Sequence, residues 1–448
     1  MYLKKTTAIV VLAASLFVAC DKNPLAAKEV TAIELRDVPS QNLSYRYEGD
    51  VPAPPPEQMT GLVRFERSEP IQNDFDVNRP TEILERTIAS PNKERLLAIW
   101  RKGDDLVSDF RLDMYGKDGK LIRHITHEEM AVQFPDTIRW SPDGSTLAYV
   151  AKVRNADPNS LDLPDEKKKE DEEPKVVAEA DKETPEATPS PDASATPADN
   201  KEADKNVLTF RTEQIYICDA EGGGVKPLTQ VEGLMYFYFA WAPDSSALAA
   251  LAAVHTEWKY FETRAKEDGQ MFLPRGRPRL IEKNGRERRL DDLATAVHPV
   301  WSPDSAKVAV AFDKQVRIYD GVRPQPTQAA IPLRNELLLS AREYEKKLAG
   351  GGGGDSNSNT ANADSNAPKP TPAPMVNQPE SAIPDANLLS SFNPIVEMVW
   401  PENKILYFQT GFVRNYVDET QNARSFMRWH RLILSSQPIQ VAPQQQAK

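Results

Sequence analysis

The chain has 448 residues, 40% of them hydrophobic, and a formal net charge of −11. That length buries an ample core without cross-links. Its two cysteines, Cys20 and Cys218, exclude the multiple-disulfide framework of small secreted domains.

At the amino terminus, Lys4 and Lys5 precede an apolar run from Thr6 to Val18. This is the pattern of a secretory signal, too short for a spanning helix. It closes on Leu16-Phe17-Val18-Ala19-Cys20, with a cysteine directly after a small residue. The arrangement resembles the lipobox of bacterial lipoproteins, and the resemblance implies that Cys20 is lipidated and becomes the first residue of the mature chain. Asp21 resembles the inner-membrane retention signal of enterobacterial lipoproteins. Residues 1–19 are therefore read as a signal peptide. Residues 20–60 are read as a tether, stiffened by Pro-Ala-Pro-Pro-Pro at 52–56. A chain exported in this way is expected to meet no nucleic acid. With Cys20 carrying lipid, Cys218 is left as a small buried hydrophobe on a predicted strand.

Along the next 370 or so residues one phrase recurs. Trp140-Ser141-Pro142-Asp143-Gly144, Trp241-Ala242-Pro243-Asp244-Ser245 and Trp301-Ser302-Pro303-Asp304-Ser305 each precede a small apolar run. Those runs are Leu147–Val150, Leu248–Leu251 and Val308–Ala311. Two degenerate copies, Ser90-Pro91-Asn92 and Trp400-Pro401-Glu402-Asn403, extend the series. Proline presets the φ of a type I turn, Asp or Asn tolerates its third position, and Gly or Ser closes it. The tryptophan offers a large packing surface. A run that is apolar throughout predicts a strand buried on both faces. The prolines stand 51, 101, 60 and 98 residues apart. Removing about 50 and about 40 residues of low complexity (153–206 and 349–388) leaves intervals near those of a four-stranded propeller blade. Hairpin signals before the tryptophans, Asp118-Gly119, Gly222-Gly223-Gly224, Asn284-Gly285 and Asp320-Gly321, supply the remaining turns.

The first insert carries the acidic run Asp165–Glu173 and several Thr-Pro pairs, a composition that predicts disorder. The second opens with a predicted helix, Asn335 to Leu348, ended by Gly350–Gly354. Between the two, Arg275, Arg277, Arg279, Arg286, Arg288 and Arg289 concentrate positive charge in an acidic chain, with Trp258, Tyr260, Phe261 and Phe272 beside them. These arginines are the candidate contact for an anionic partner. With Arg264, Lys266 and Lys283 the stretch holds nine cations within 26 residues, and the interleaved Glu262, Glu267, Asp268, Glu282 and Glu287 cancel over half of that charge.

The repeats resemble the WD40-like PD40 units of TolB-type β-propellers, which also occur beside hydrolase domains in prolyl-oligopeptidase relatives. The resemblance implies an all-β propeller over residues 61–436, with five visible blades. A sixth is expected from residues 28–80 together with the strand near Phe426–Ser435. Residues 437–448 are expected to be a disordered tail. Serine replaces the motif glycine at Ser245 and Ser305.

No residue is assigned to catalysis and none to a metal or cofactor. There is no Gly-x-Ser-x-Gly elbow, P-loop or dinucleotide fingerprint, and His127-Glu128-Glu129-Met130 lacks the second histidine of a zinc helix. His298 is read as structural at a blade edge. Asp143, Asp244 and Asp304 recur with every strong copy, so they serve the turn. The expected function is a non-catalytic protein-binding or scaffold module, anchored through lipid to the inner or outer membrane. The propeller would then stand in the periplasm or at the cell surface with a cell-envelope protein as partner. The competing reading is a hydrolase or lyase on glycan or peptide, or a small-ligand sensor. The enzyme would gather two or more His, Asp, Glu or Tyr side chains at the mouth of the central channel, and the sensor would show a closed pocket in that channel.

Overall fold

The computed structural model describes residues 34–55, 67–105, 109–160, 208–321, 323–350, 394–411 and 427–436. Strand β1 (Leu43–Val51) and helix α1 (Glu69–Asn78) come first. The first sheet is β2 (Glu82–Ala89), β3 (Arg95–Lys102), β4 (Arg111–Gly116) and β5 (Leu121–His124). The second is β6 (Met130–Val132) with β7 (Arg139–Trp140), then β8 (Thr146–Val153), β9 (Gln214–Asp219) and β10 (Lys226–Pro227). The third is β11 (Leu234–Trp241), β12 (Ala247–Val254), β13 (Arg277–Glu282) and β14 (Glu287–Arg289), with α2 (His255–Glu267) between its middle strands. The fourth is β15 (Val300–Trp301), β16 (Lys307–Phe312), β17 (Gln315–Asp320) and β18 (Gln328–Pro332), followed by α3 (Arg334–Gly350). The fifth is β19 (Ile395–Glu402), β20 (Ile405–Thr410) and β21 (Arg428–Ser436).

Every sheet is an antiparallel meander, and β1 returns to complete the fifth by pairing with β21. The protein is a β-propeller of four-stranded blades, and five sheets are present among the described residues. The chain ends pair as expected, but they complete the Trp400 blade and do not build a sixth. The reason is local: β19 to β21 supply only three strands, and β1 fills the vacant edge. Residues 43–51, counted above with the tether, thus belong to the fold. The segment read above as a signal, Cys20, the greater part of both inserts and the expected tail lie outside the described residues.

The second strand of each blade shows why the blades stack. In β8, Leu147, Tyr149 and Ala151 pack against Leu97, Ile99 and Met114 of the first sheet. The alternating Ala148 and Val150 pack against Tyr236 and Phe239 of the third. In β12, Leu248, Ala250 and Ala252 face backward, while Ala247 and Ala249 face forward to Val308 and Val310. In β16, Ala309 and Ala311 continue to Trp400, Leu406 and Phe408. The two-residue period of a strand therefore assigns each side chain to one neighbour, and burying a Leu or Val there contributes roughly 1.5–3 kcal/mol. The far face of the first sheet carries α1, whose Ile71 and Phe75 cover Ala98 and Trp100. Arg79 lies 4.1 Å from the Phe75 ring and 4.3 Å from the Trp100 ring.

The repeated phrase works as a weld. Ser141 donates to Asp143 and Ser302 to Asp304, while the amides of Ser145, Ser246 and Ala306 donate to the motif aspartates at 3.0 Å. Burial opposes ionisation of Asp143, but the hydrogen bonds from Ser141 and Ser145 prevail and hold its pKa at about 2. Gly144, Ser245 and Ser305 all take positive φ (70°, 64° and 61°). Serine in that conformation is strained, and the structure shows its use. The Asp143 amide donates to Ser245 Oγ at 3.0 Å, and the Asp244 amide to Ser305 Oγ at 2.9 Å. The Asp304 amide donates to Asn403 Oδ1 at 3.2 Å. A chain of turn-to-turn bonds thereby runs from the second blade to the fifth. Trp241 and Trp301 add a second link, donating from Nε1 to the carbonyls of Arg139 and Ala240 in the preceding blade.

The entering chain is held as firmly. Asp320, fully buried, accepts from the Ser40 amide and hydroxyl, from Thr327 and from Lys307 at 3.0 Å, and Lys307 also donates to the Val38 carbonyl.

Candidate functional site

The strand order places the connections at two opposite ends of the blades. The motif turns and the glycine hairpins share one end, where Lys283 lies 3.9 Å from Asp143 of the neighbouring blade and Arg95 pairs with Glu221. The long connections leave from the other end: residues 154–213, the α2 segment, residues 333–394 with α3, and residues 411–427. The predicted helix at 335–348 is found as α3.

On this long-loop face, α2 rests on the blade through Trp258, whose ring centroid lies 5.1 Å from Phe237 and 5.0 Å from Phe272. Arg277 pairs with Glu257 at 2.8 Å and fixes the helix laterally. Arg264 and Lys266 stand in the last turn, where the helix dipole favours cations. The opposite side of α2 presents Tyr260 and Phe261 to solvent, 58% and 53% exposed. Met271 and Leu293 are similarly exposed. Two cavities of about 940 and 480 Å³ open beside them and share Leu273, Arg275 and Ala294. The larger also takes in Lys314 and Arg334, with Asp313 as its acidic lining residue.

The six arginines of the candidate contact do not form one patch. Arg275 lies on the long-loop face, lines both cavities, and has no ion-pair partner among the described residues. Arg277 and Arg279 lie on β13 and are bound to Glu257 and Glu287. Arg286 belongs to the hairpin end and pairs with Glu282. Arg288 donates to the Asp320 carbonyl at 2.6 Å, and Arg289 pairs with Asp292 at 2.7 Å. Strand geometry has distributed a linear cluster of charge along the whole height of the blade.

A second convergence lies on the edges of the first strands, and sequence reasoning missed it. Counting three residues back from each motif tryptophan, or from Ala89 in the copy that lacks one, gives Arg86, Thr137, Tyr238, His298 and Glu397. Each first strand is interrupted there. Register breaks fall at Leu84/Arg86, Tyr236/Tyr238 and Ile395/Glu397, a 3₁₀ turn (Pro135–Thr137) separates β6 from β7, and β15 starts only at Val300. Such bulges re-aim a side chain. Arg86 reaches the next blade to bond Asp136 at 2.9 Å. Tyr238 and His298, from the third and fourth blades, stack with centroids 3.7 Å apart and planes 6° from parallel. Burial lowers the pKa of His298, helped by the charge of Arg139, and burial raises that of Tyr238. Burial also lowers the pKa of Arg139 and raises that of Glu397. His298 thus makes a contact between two blades.

Among the described residues no group of three or more His, Cys, Asp or Glu side chains is placed to hold a metal. His124 is bonded to Asp113 at 2.8 Å. No helix among them is long and apolar enough to cross a membrane. Cys218 is free and buried, and burial pushes its thiol up to about 12.

No family model and no curated protein matches the chain. Solved structures do. An oligogalacturonate lyase in complex with manganese aligns at 14% identity and TM-score 0.26, covering 54% of this chain and 45% of that one. A putative TolB from Agrobacterium tumefaciens aligns at 13% and TM-score 0.25, covering 55% and 66%. A prolyl endopeptidase aligns at 12% and TM-score 0.30, covering 83% and 36%. The chain spans less than two thirds of the length of each.

Proposed function

We propose that the protein is a non-catalytic binding propeller of the bacterial cell envelope, tethered to a membrane through lipid on Cys20. In this reading it holds a cell-envelope protein on its long-loop face. The observation that carries the reading is the exposure of Tyr260, Phe261, Met271 and Leu293 beside two adjoining cavities, at the end where the long connections gather. Large exposed apolar side chains grouped in this way mark an interaction surface. Aromatic anchors flanked by arginine are what protein interfaces favour. The opposite end carries the turn-to-turn bonds, and the cavity of about 450 Å³ there is lined by Lys226, Lys283, Asn284 and Glu287, without aromatic side chains. A partner with acidic and apolar side chains would meet Arg275 and Arg334 at the cavity rim.

The test is site-specific photocrosslinking in the producing cell, with a benzophenone amino acid at Phe261 or at Asn284. The first probe lies on the long-loop face and the second on the hairpin end. A recurrent discrete adduct at 261 that is missing at 284, and that weakens with Tyr260→Ser, supports the reading. Equal labelling at both positions, or none at 261, overturns it. The anchor is checked separately: Cys20→Ala should release the chain from membranes and abolish incorporation of a labelled fatty acid.

A further inference from the structure

The larger cavity on the long-loop face is a recess with an apolar base, where Val297, Phe312 and Ile395 are all buried. Its volume of about 940 Å³ reaches the upper end of the roughly 300–1,000 Å³ that encloses a drug-sized ligand. Along Leu273, Arg275 and Ala294 it adjoins the second cavity of about 480 Å³. A folded surface can rest on Tyr260 and Phe261, which are exposed, but only a protruding segment can enter the recess. Its charge is one-sided. Arg275, Lys314 and Arg334 line it against a single carboxylate, Asp313, among the described residues, in a chain whose formal net charge is −11. Glu257 and Asp268 of the adjoining cavity are already paired with Arg277 and Arg264. Within the arginine-rich stretch, Arg277, Arg279, Arg286, Arg288 and Arg289 are each bonded inside the protein. Arg275 and Arg334 are exposed and have no ion-pair partner among the described residues. Cations of one sign along a cleft focus the field and draw in anions.

We propose that the recess takes an extended acidic segment of the partner, with carboxylates on Arg275 and Arg334 and an apolar side chain on the base. The proposal rests on the docking role above and adds the chemistry of what docks. Neither arginine has to give up an internal ion pair to bind, so the attraction is not offset by a broken bond. Unpaired arginines are a recurrent means of recognising acidic motifs.

The probe is a fluorescein-labelled decapeptide, Gly-Glu-Leu-Glu-Gly twice over, titrated against the full chain and followed by fluorescence anisotropy. A second peptide has glutamine at every glutamate, and N-acetylglutamate serves as a competitor of single-residue size. The glutamate peptide should bind saturably and about tenfold more tightly than the glutamine peptide. Arg275→Gln and Arg334→Gln should each weaken it about threefold, and both together about tenfold, as expected of exposed ion pairs. In the double variant the glutamate peptide should lose its advantage. Ala296→Trp fills the recess from an exposed lining position without touching its charges, so it should abolish binding. Equal binding of the two peptides, no saturable response, or a response that survives both the double substitution and Ala296→Trp overturns the proposal. Competition by N-acetylglutamate at the affinity of the decapeptide would assign the recess to a small carboxylate and overturns it too. A photocrosslink at Phe261 that persists while the peptides fail leaves the docking role standing and removes only the acidic segment.

Discussion

Acid should open the ring at its closing blade, and His430 is the reason. The side chain is fully buried on β21, between β1 and β20. Its Nδ1 faces the Tyr47 hydroxyl at 2.8 Å and the Asp50 amide at 3.4 Å, and its Nε2 faces Thr410 Oγ1 at 3.0 Å. An amide only donates, so Nδ1 must be the acceptor and Nε2 carries the proton. Protonating Nδ1 would set it against two donors, in a dry site and close to Arg428. Burial first, and Arg428 second, accordingly depress the pKa from 6.5 to about 3. In the unfolded chain His430 takes up a proton below pH 6.5, whereas the folded chain resists until about pH 3. The stabilising contribution is therefore complete above pH 6.5 and falls away as the pH drops toward 3. By linkage it has lost about 2 kcal/mol at pH 5. Carboxylates also titrate in this window, so the informative quantity is a difference. His430→Gln should cost about 1–3 kcal/mol at pH 7 by leaving Tyr47 and Thr410 poorly bonded, but its deficit should shrink by about 2 kcal/mol at pH 5. Urea unfolding followed by tryptophan fluorescence, with Trp429 adjacent in the strand, measures both. A deficit that is the same at pH 7 and pH 5 would falsify the assignment of neutral, acceptor-Nδ1 His430.

Two further outcomes follow from the weld and the core. Ser305→Ala keeps the left-handed strain at φ 61° and removes the acceptor for the Asp244 amide, so it should lower stability by about 1 kcal/mol. Ser305→Gly loses the same bond but relieves strain of about 1 kcal/mol, so it should be nearly neutral. Equal urea midpoints for the two variants would count against the turn-to-turn bond. Cys218, buried with its thiol raised to about 12, should react with a thiol-specific disulfide reagent only as fast as the protein unfolds. Rapid labelling under native conditions would contradict its placement in the core.

What was legible in the sequence was whatever is settled within a few residues. The Trp-Pro-Asp corner encodes its turn in proline's φ and the aspartate's side-chain acceptor, and so all the strong copies could be read. Helix α3 likewise announced itself through its glycine stop. Blade number is a different kind of fact. Strand β1 carries no motif, and it joins the fifth sheet only because three strands there leave an edge open. The arginine-rich stretch misled for a related reason. Proximity along the chain suggests a patch, but Glu257 and Glu287 take up Arg277 and Arg279 on β13, and the hairpin carries Arg286 to the far end, where Glu282 pairs with it.

The interrupted position on the first strands escaped notice because its members share a position and not a chemistry. Arg86, Thr137, Tyr238, His298 and Glu397 have nothing in common except their offset of three from the repeat corner. Counting from the tryptophan would have found them, but nothing local marks the strand interruption at which they stand. Their diversity is itself physically consistent. None of the five belongs to an apolar cluster between sheets, so stacking places no demand on their identity. The corner residues are bound on all sides by the neighbouring blades, and repetition there is compulsory. Between those two regimes the fold separates its duties: corners that must repeat hold the blades together, and the position three residues upstream is free to differ from blade to blade. A free position on a rigid ring is where five unlike side chains can be gathered without cost to the core.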